Sequence, residues 1–188
     1  METAFILVTI LLALYSLLAV IDGVYLHLYR YQLQERAESK LEHLTHTIRA
    51  FLFSGILITL FIQMDDNRFF YLGMVMVLLD ILVLLVDAYT EKDSRAFMGG
   101  LPRWEYMLHL MVNGFHFAAI AVFLVLKINI TSDGFVLNQQ FEGIQSYAVF
   151  QLVAVNLLPG AVLISLLHVL VYSSKVNSFI KNNRLNCC

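Results

Sequence analysis

Charge is what this chain has least of. Only 14% of its 188 residues are Asp, Glu, Lys or Arg, against about 25% in an ordinary soluble domain. That scarcity, with 60% hydrophobic residues and a mean hydropathy of +0.75, excludes a free-standing soluble globule. Cysteine is confined to Cys187 and Cys188 at the extreme carboxyl end, which excludes an internal disulfide framework. Leu185 stands where a prenylation box needs its cysteine, so the terminal pair reads as two unmodified thiols. The amino end lacks basic residues. Met1-Glu2-Thr3 is no n-region and no small-residue cleavage site follows, so the first apolar run reads as a membrane span, not a cleaved signal. The net charge of −2 carries no nucleic-acid signature, and no nucleic-acid partner is expected.

Long apolar runs are present in abundance. A bilayer core about 30 Å thick takes roughly 20 residues per helical crossing. Five runs qualify, at about 3–28, 44–63, 69–90, 105–126 and 147–172. The links between them are too short to fold separately. The expectation is a single all-α integral membrane domain, a five-transmembrane-helix bundle, ending in a short basic tail at 173–188. Arg30, Arg36, Lys40, Arg49, Lys92, Arg95, Arg103, Lys175, Lys181 and Arg184 fall on one side, against Arg68 and Lys127 on the other. The positive-inside rule then puts the amino terminus outside and the carboxyl terminus in the cytoplasm, in a cytoplasmic or inner membrane. Tyr29, Tyr31, Trp104, Tyr106 and Tyr172 would form the inner aromatic belt. The sequon Asn129-Ile130-Thr131 lies so close to the membrane that it reads as a chance match.

The segment 30–49 is rich in helix formers and should extend one or both neighbouring helices, with a turn near Glu38-Ser39. Gly99-Gly100-Leu101-Pro102 reads as a turn into the fourth span. Pro159 interrupts the fifth, where it frees the carbonyl of Val155 and predicts a kink.

The six histidines, His27, His43, His46, His109, His116 and His168, all fall towards the basic ends of these spans. Helical phase sorts them. Glu105, His109, Asn113 and His116 share an arc of about 80°, Asp80, Asp87 and Glu91 one of about 40°, and Glu42, His46 and Arg49 one of about 60°. Asp22 faces inward with Tyr25 and Tyr29, but His27 lies roughly 140° from Asp22 on a regular helix. Either Gly23 permits a distortion there or His27 faces the headgroups. His27 and His168 are therefore expected at the interface, and Glu35, Arg36, Glu38, Lys40 and His43 on a solvated surface.

Ionisable groups inside hydrocarbon mark ion paths, cofactor sites or catalytic sites. Carboxylates and imidazoles converging in a helix bundle suit iron, manganese or zinc. The candidate ligands are Asp22, Glu42, His46, Asp80, Asp87, Glu105, His109 and His116, with Asn113, Arg49 and Tyr25 orienting them. The donor set resembles that of di-iron bundles but departs in spacing, since Glu42–His46 and Glu105–His109 are four apart rather than three. Membrane desaturases carry several histidine boxes, and this chain has only His43-Leu44-Thr45-His46. Plainer readings compete: Glu105 as a carboxylate complementing the start of its helix, His46 as an interfacial residue, Asp80 and His116 as an interhelical pair.

The leading expectation is a membrane metalloprotein with a mono- or dinuclear site in the cytoplasmic half of the bundle. If it is an enzyme, the substrate is lipidic, because little surface lies outside the membrane. The alternatives are a bis-histidine haem b cytochrome with His46 and His109 or His116 as axial ligands, a proton- or cation-coupled transporter, and a structural subunit of a homo-oligomer or membrane complex.

Overall fold

The computed structural model describes residues 1–132, 134–141 and 143–182. Arg184 and the two cysteines, with the readings given to them above, lie outside the described residues. Among the described residues, six longer helices and one hairpin follow in order: α1 (Glu2–Arg30), α2 (Lys40–Ile62), α3 (Asn67–Ser94), α4 (Arg103–Lys127), β1 (Ile128–Thr131), β2 (Gly134–Leu137), α5 (Gln145–Leu170) and α6 (Ser174–Asn182). The first five helices are each long and apolar enough to cross a membrane.

Two helices change winding along their length. α1 is α-helical to Ala19 and continues as a π-helix over Val20–Arg30. α2 ends in a π-helical stretch over Leu57–Ile62. Between α1 and α2 the chain does not extend either helix far. Gln32 turns it with a left-handed backbone, φ 53°, and Leu33–Glu35 form one tight 3-10 turn. α5 runs through Pro159 as one helical segment.

α1 packs along α4 and α5, while α2 packs along α3 and α5. α3 and α4, though consecutive, lack comparable backbone contact, and polar side chains bridge the space between them. Where α2 meets α3 the fit is close: a Cβ on Gly73 would stand 2.3 Å from Leu60 Cδ2 and 2.8 Å from Thr59 Oγ1.

The hairpin end of the bundle is aromatic. Phe5 meets Phe141 edge-on at 5.5 Å, and Phe61 meets Phe123 at 5.4 Å and Phe150 at 5.9 Å. Lys127 is fully buried beneath the hairpin, where its Nζ donates to the carbonyls of Met64 (2.5 Å) and Asn138 (2.6 Å). The Glu2 carboxylate accepts from the Gln145 and Ser146 amides at 3.0 and 2.9 Å, and so caps the start of α5. Outward-facing Leu and Val side chains such as Leu72, Val75, Leu78, Leu82 and Leu85 on α3 are exposed. A surface this apolar suits hydrocarbon and is a liability in water.

Candidate metal centre

At the opposite end, four helices and the α3–α4 turn turn ionisable side chains inward in three layers. The layer nearest the helix ends is organised by Arg95, which is wholly buried. Its Nε and Nη2 donate to Glu105 Oε1 at 2.9 and 2.6 Å, and its Nη1 donates to Glu42 Oε2 at 2.6 Å. Arg95 Nη2 also lies 3.2 Å from His27 Nε2, which accepts there. Ser39 Oγ donates to the Ser94 carbonyl at 2.9 Å and holds the two turns together. Among the described residues, Glu42 Oε1, Glu105 Oε2 and His27 Nδ1 of this layer are buried without a hydrogen-bond partner.

The middle layer joins all four helices. Asp22 Oδ1 accepts from His109 Nε2 at 2.8 Å, and His109 Nδ1 pairs with Glu91. His46 Nε2 stands 3.3 Å from Asp87 Oδ2, whose other oxygen accepts from Thr45 Oγ1 at 2.5 Å. The His27 and His46 rings cross edge to face with centroids 3.9 Å apart, and His109 lies 5.7 Å from His27.

The deepest layer is built on Arg49. Its Nε donates to Asp80 Oδ1 at 3.0 Å and its Nη2 to Asn113 Oδ1 at 2.7 Å, and Asn113 Nδ2 donates back to the His109 carbonyl at 2.9 Å. His116 Nε2 donates to Asp80 Oδ2 at 3.1 Å, with the Tyr15 ring packed against the imidazole at 4.6 Å. Asp80 thus meets a fixed guanidinium and an imidazole.

The winding of α1 explains how His27 enters. Five residues span about 140° beyond a full turn on an α-helix, which would send Asp22 and His27 apart. In a π-helix the hydrogen bonds run from i to i+5, so residues five apart come into line. His27 Nε2 consequently lies 3.5 Å from Asp22 Oδ1 and 3.5 Å from Glu42 Oε1. The interfacial expectation for His27 is corrected: it is fully buried, at the centre of the network. His43 is likewise not on a solvated surface. It is buried, donates from Nε2 to the His168 carbonyl at 3.1 Å, and stacks on the His168 ring at 5.4 Å. His168, in the last turn of α5, is itself buried against His43. Glu105 is enclosed by Arg95 and is more than an exposed helix-start carboxylate.

Of the eight residues singled out from sequence, the structure places Asp22, His46 and His109 around His27. Glu42 and Glu105 flank Arg95, Asp87 supports His46, and Asp80 with His116 surround Arg49. Sequence reasoning missed His27 and Arg95. It put Glu91 on the right face but not among the ligands. Among the described residues, two groups hold ligand atoms all within 4.8 Å of one another, Asp22/His27/His46 and His27/Glu105/His109, and His27 belongs to both. Six carboxylates (Asp22, Glu42, Asp80, Asp87, Glu91 and Glu105) face two guanidiniums and His109, whose two ring nitrogens both meet carboxylates and so both carry protons, a formal excess of three negative charges in a low-dielectric interior. Such an excess is costly unless cations or protons offset it. Unpartnered carboxylate oxygens beside that excess fit a divalent cation.

Comparison with protein-family models, with curated proteins and with solved structures finds no match for this chain. The grouping of histidines and carboxylates inside a helical, membrane-compatible bundle therefore rests on its own geometry.

Proposed function

We propose that the chain is a multi-pass membrane metalloprotein that binds iron, manganese or zinc between α1, α2 and α4. The observation that carries this reading is the pair of donor triads sharing His27. Asp22, His27, His46, His109 and Glu105 are the ligand candidates. Asp87 and Glu91 orient His46 and His109 from behind, as carboxylates do for metal-bound imidazoles. Arg95 already neutralises one side of Glu42 and Glu105, which favours one ion over two. Asp80 and His116 act through Arg49, which positions Asn113 and the α4 backbone at His109.

Once bound, a redox metal supplies oxygen chemistry and zinc supplies an activated water. The substrate is a membrane lipid or another lipidic small molecule. The basic end faces the cytoplasm: taking the ion-paired, partly buried Arg49 and the buried Arg95 from the ten and the buried Lys127 from the two leaves eight cationic residues against one.

Two observations favour this over the alternatives. His109 meets carboxylates at both ring nitrogens and His46 meets Asp87, a setting of anions that suits a small divalent ion better than haem. Phe5, Phe61, Phe123 and Phe150 close the bundle beyond His116, so the polar layers end blind instead of forming a transport path. Elemental analysis and absorption spectra of the detergent-purified protein test the proposal. About one iron, manganese or zinc per chain without a Soret band is expected. A Soret band would move the assignment to haem b, and a metal-free, colourless protein would end it.

A further inference from the structure

Two cavities approach the centre from opposite flanks and meet at the same three residues, Asp22, His46 and Arg49. The first, of about 150 Å³, lies between α1, α2 and α5, with Tyr15, Phe53, Val112, Leu157 and Ile164 on its apolar wall. The second, of about 90 Å³, lies between α3 and α4 and adds Asp87, Glu91, His109 and Asn113 to the shared three. The first approach is mostly apolar, with Ser16 and His168 its polar members beyond the shared three, and the second sets its charged side chains among Leu84, Ala88, Tyr106 and Leu110.

We propose that the cavity between α1, α2 and α5 is a lateral chamber for one alkyl or acyl chain of a membrane lipid, which it presents to Asp22 and His46. The proposal rests on reading this centre as a metal site inside a membrane bundle. Its rim is formed by Val20 of α1 and Gly160 of α5, both exposed on the flank where Leu17 and Leu163 also face outward. A chain can therefore leave the bilayer sideways without crossing a polar surface. A cavity of about 150 Å³ lined by apolar side chains accepts a benzene-sized molecule, which corresponds to a stretch of roughly six carbons of a chain. A headgroup would have to pass the apolar rim to reach the polar floor, and its desolvation opposes that path. The charged cavity on the other flank leaves water or a small polar co-substrate its own entrance to the same residues. Gly160 keeps the rim open, since no atom lies within 4 Å of where its Cβ would stand.

That space also supplies the test. Gly160→Phe puts a ring at the rim without a backbone clash, and Ile164→Phe narrows the chamber from its wall. The wild-type protein in nanodiscs is photolysed with palmitic acid carrying a diazirine near its methyl end, with unlabelled palmitic acid as competitor. Labelled residues are mapped by mass spectrometry, and metal content is measured on the same samples. Labelling of Tyr15, Phe53 or Leu157 should be saturable and should fall about tenfold in Gly160→Phe or Ile164→Phe, a loss of about 1.4 kcal/mol in binding. Labelling of the outward-facing Leu78 and Leu82, and the metal content, should not change. Chamber labelling that is unsaturable, or equal in both variants, overturns the proposal. Metal without saturable labelling overturns the chamber alone. Saturable labelling in a protein without metal upholds the chamber and removes the metal reading.

Discussion

The two ends of one bundle solve the same packing problem with opposite materials. At the hairpin end the space between helices is filled by Phe5, Phe61, Phe123, Phe141 and Phe150, packed mostly edge to face. At the basic end a similar cross-section holds six carboxylates, two arginines and the histidines that face them. In a bilayer the aromatic half gains no hydrophobic driving force over lipid, so its stability comes from shape and dispersion. The polar half has no solvent to fall back on, and each charge must find its partner inside. The aromatic half therefore tolerates a lost contact, whereas the polar half tolerates no lost charge.

The sharpest way to break that contrast is Arg95→Met. It leaves Glu42 and Glu105 buried without their cation, and removing one partner of a buried ion pair costs about 3–5 kcal/mol. Unfolding in mixed micelles should show this loss under chelation, with partial recovery when a divalent ion is added in excess. A variant as stable as wild type would mean that the guanidinium is not needed to offset the carboxylates. Phe150→Ala probes the other half. At about 24 cal/mol per Å³, a void of roughly 100 Å³ costs about 2 kcal/mol. The same unfolding assay should find this loss indifferent to chelator, with metal content unchanged.

How far these halves were legible in sequence differs for a physical reason. Span position depends on composition alone, and each of the five apolar runs falls on one of the five long helices, the second and fifth runs ending one and two residues past Ile62 and Leu170. The faces of α2, α3 and α4 were readable because those helices are regular where Glu42, His46, Asp80, Asp87, Glu105 and His109 sit. The face of α1 was not. Its π winding leaves no hydropathy signal, so a regular helical projection turned His27 away from Asp22, and the structure follows the other branch, a distortion of the helix that begins before Gly23. Arg95 was hidden differently: a charge count treats every arginine near a span end as solvated, and only the fold shows the chain turning it inward between Glu42 and Glu105. The hairpin Ile128–Leu137 escaped because two four-residue strands are too short to show a period.

A smaller effect is expected where α2 crosses α3. Gly73→Ala forces its new methyl against Leu60 and Thr59, and overpacking of this kind costs about 1–3 kcal/mol. Gly114→Ala, with open space at its Cβ, is the control in the same unfolding assay. Equal stability of the two would show that the α2–α3 approach is looser than described.

The smallest effect lies outside the spans. Glu35 Oε1 accepts from Lys181 Nζ and Asn177 Nδ2, each at 2.5 Å, and ties α6 to the α1–α2 link. The hydrogen bond from Lys181 holds the Glu35 carboxyl below its ordinary 4.5. Because the folded value is depressed, the tie is complete above that ordinary value and is lost as pH falls through the lower folded one. An exposed pair of this kind is worth under about 1 kcal/mol. Amide exchange in α6 should rise with acid in wild type, and Glu35→Gln should remove that dependence. An unchanged acid response in the variant would assign it to other groups.

Metal per chain in His27→Gln, measured beside wild type and His43→Gln, tests the central claim most directly. Both histidines are buried, but only His27 belongs to the donor triads. About one ion per chain is expected in wild type and in His43→Gln, with at least a tenfold loss of affinity in His27→Gln. Equal metal in both variants, or none in wild type, would contradict the account.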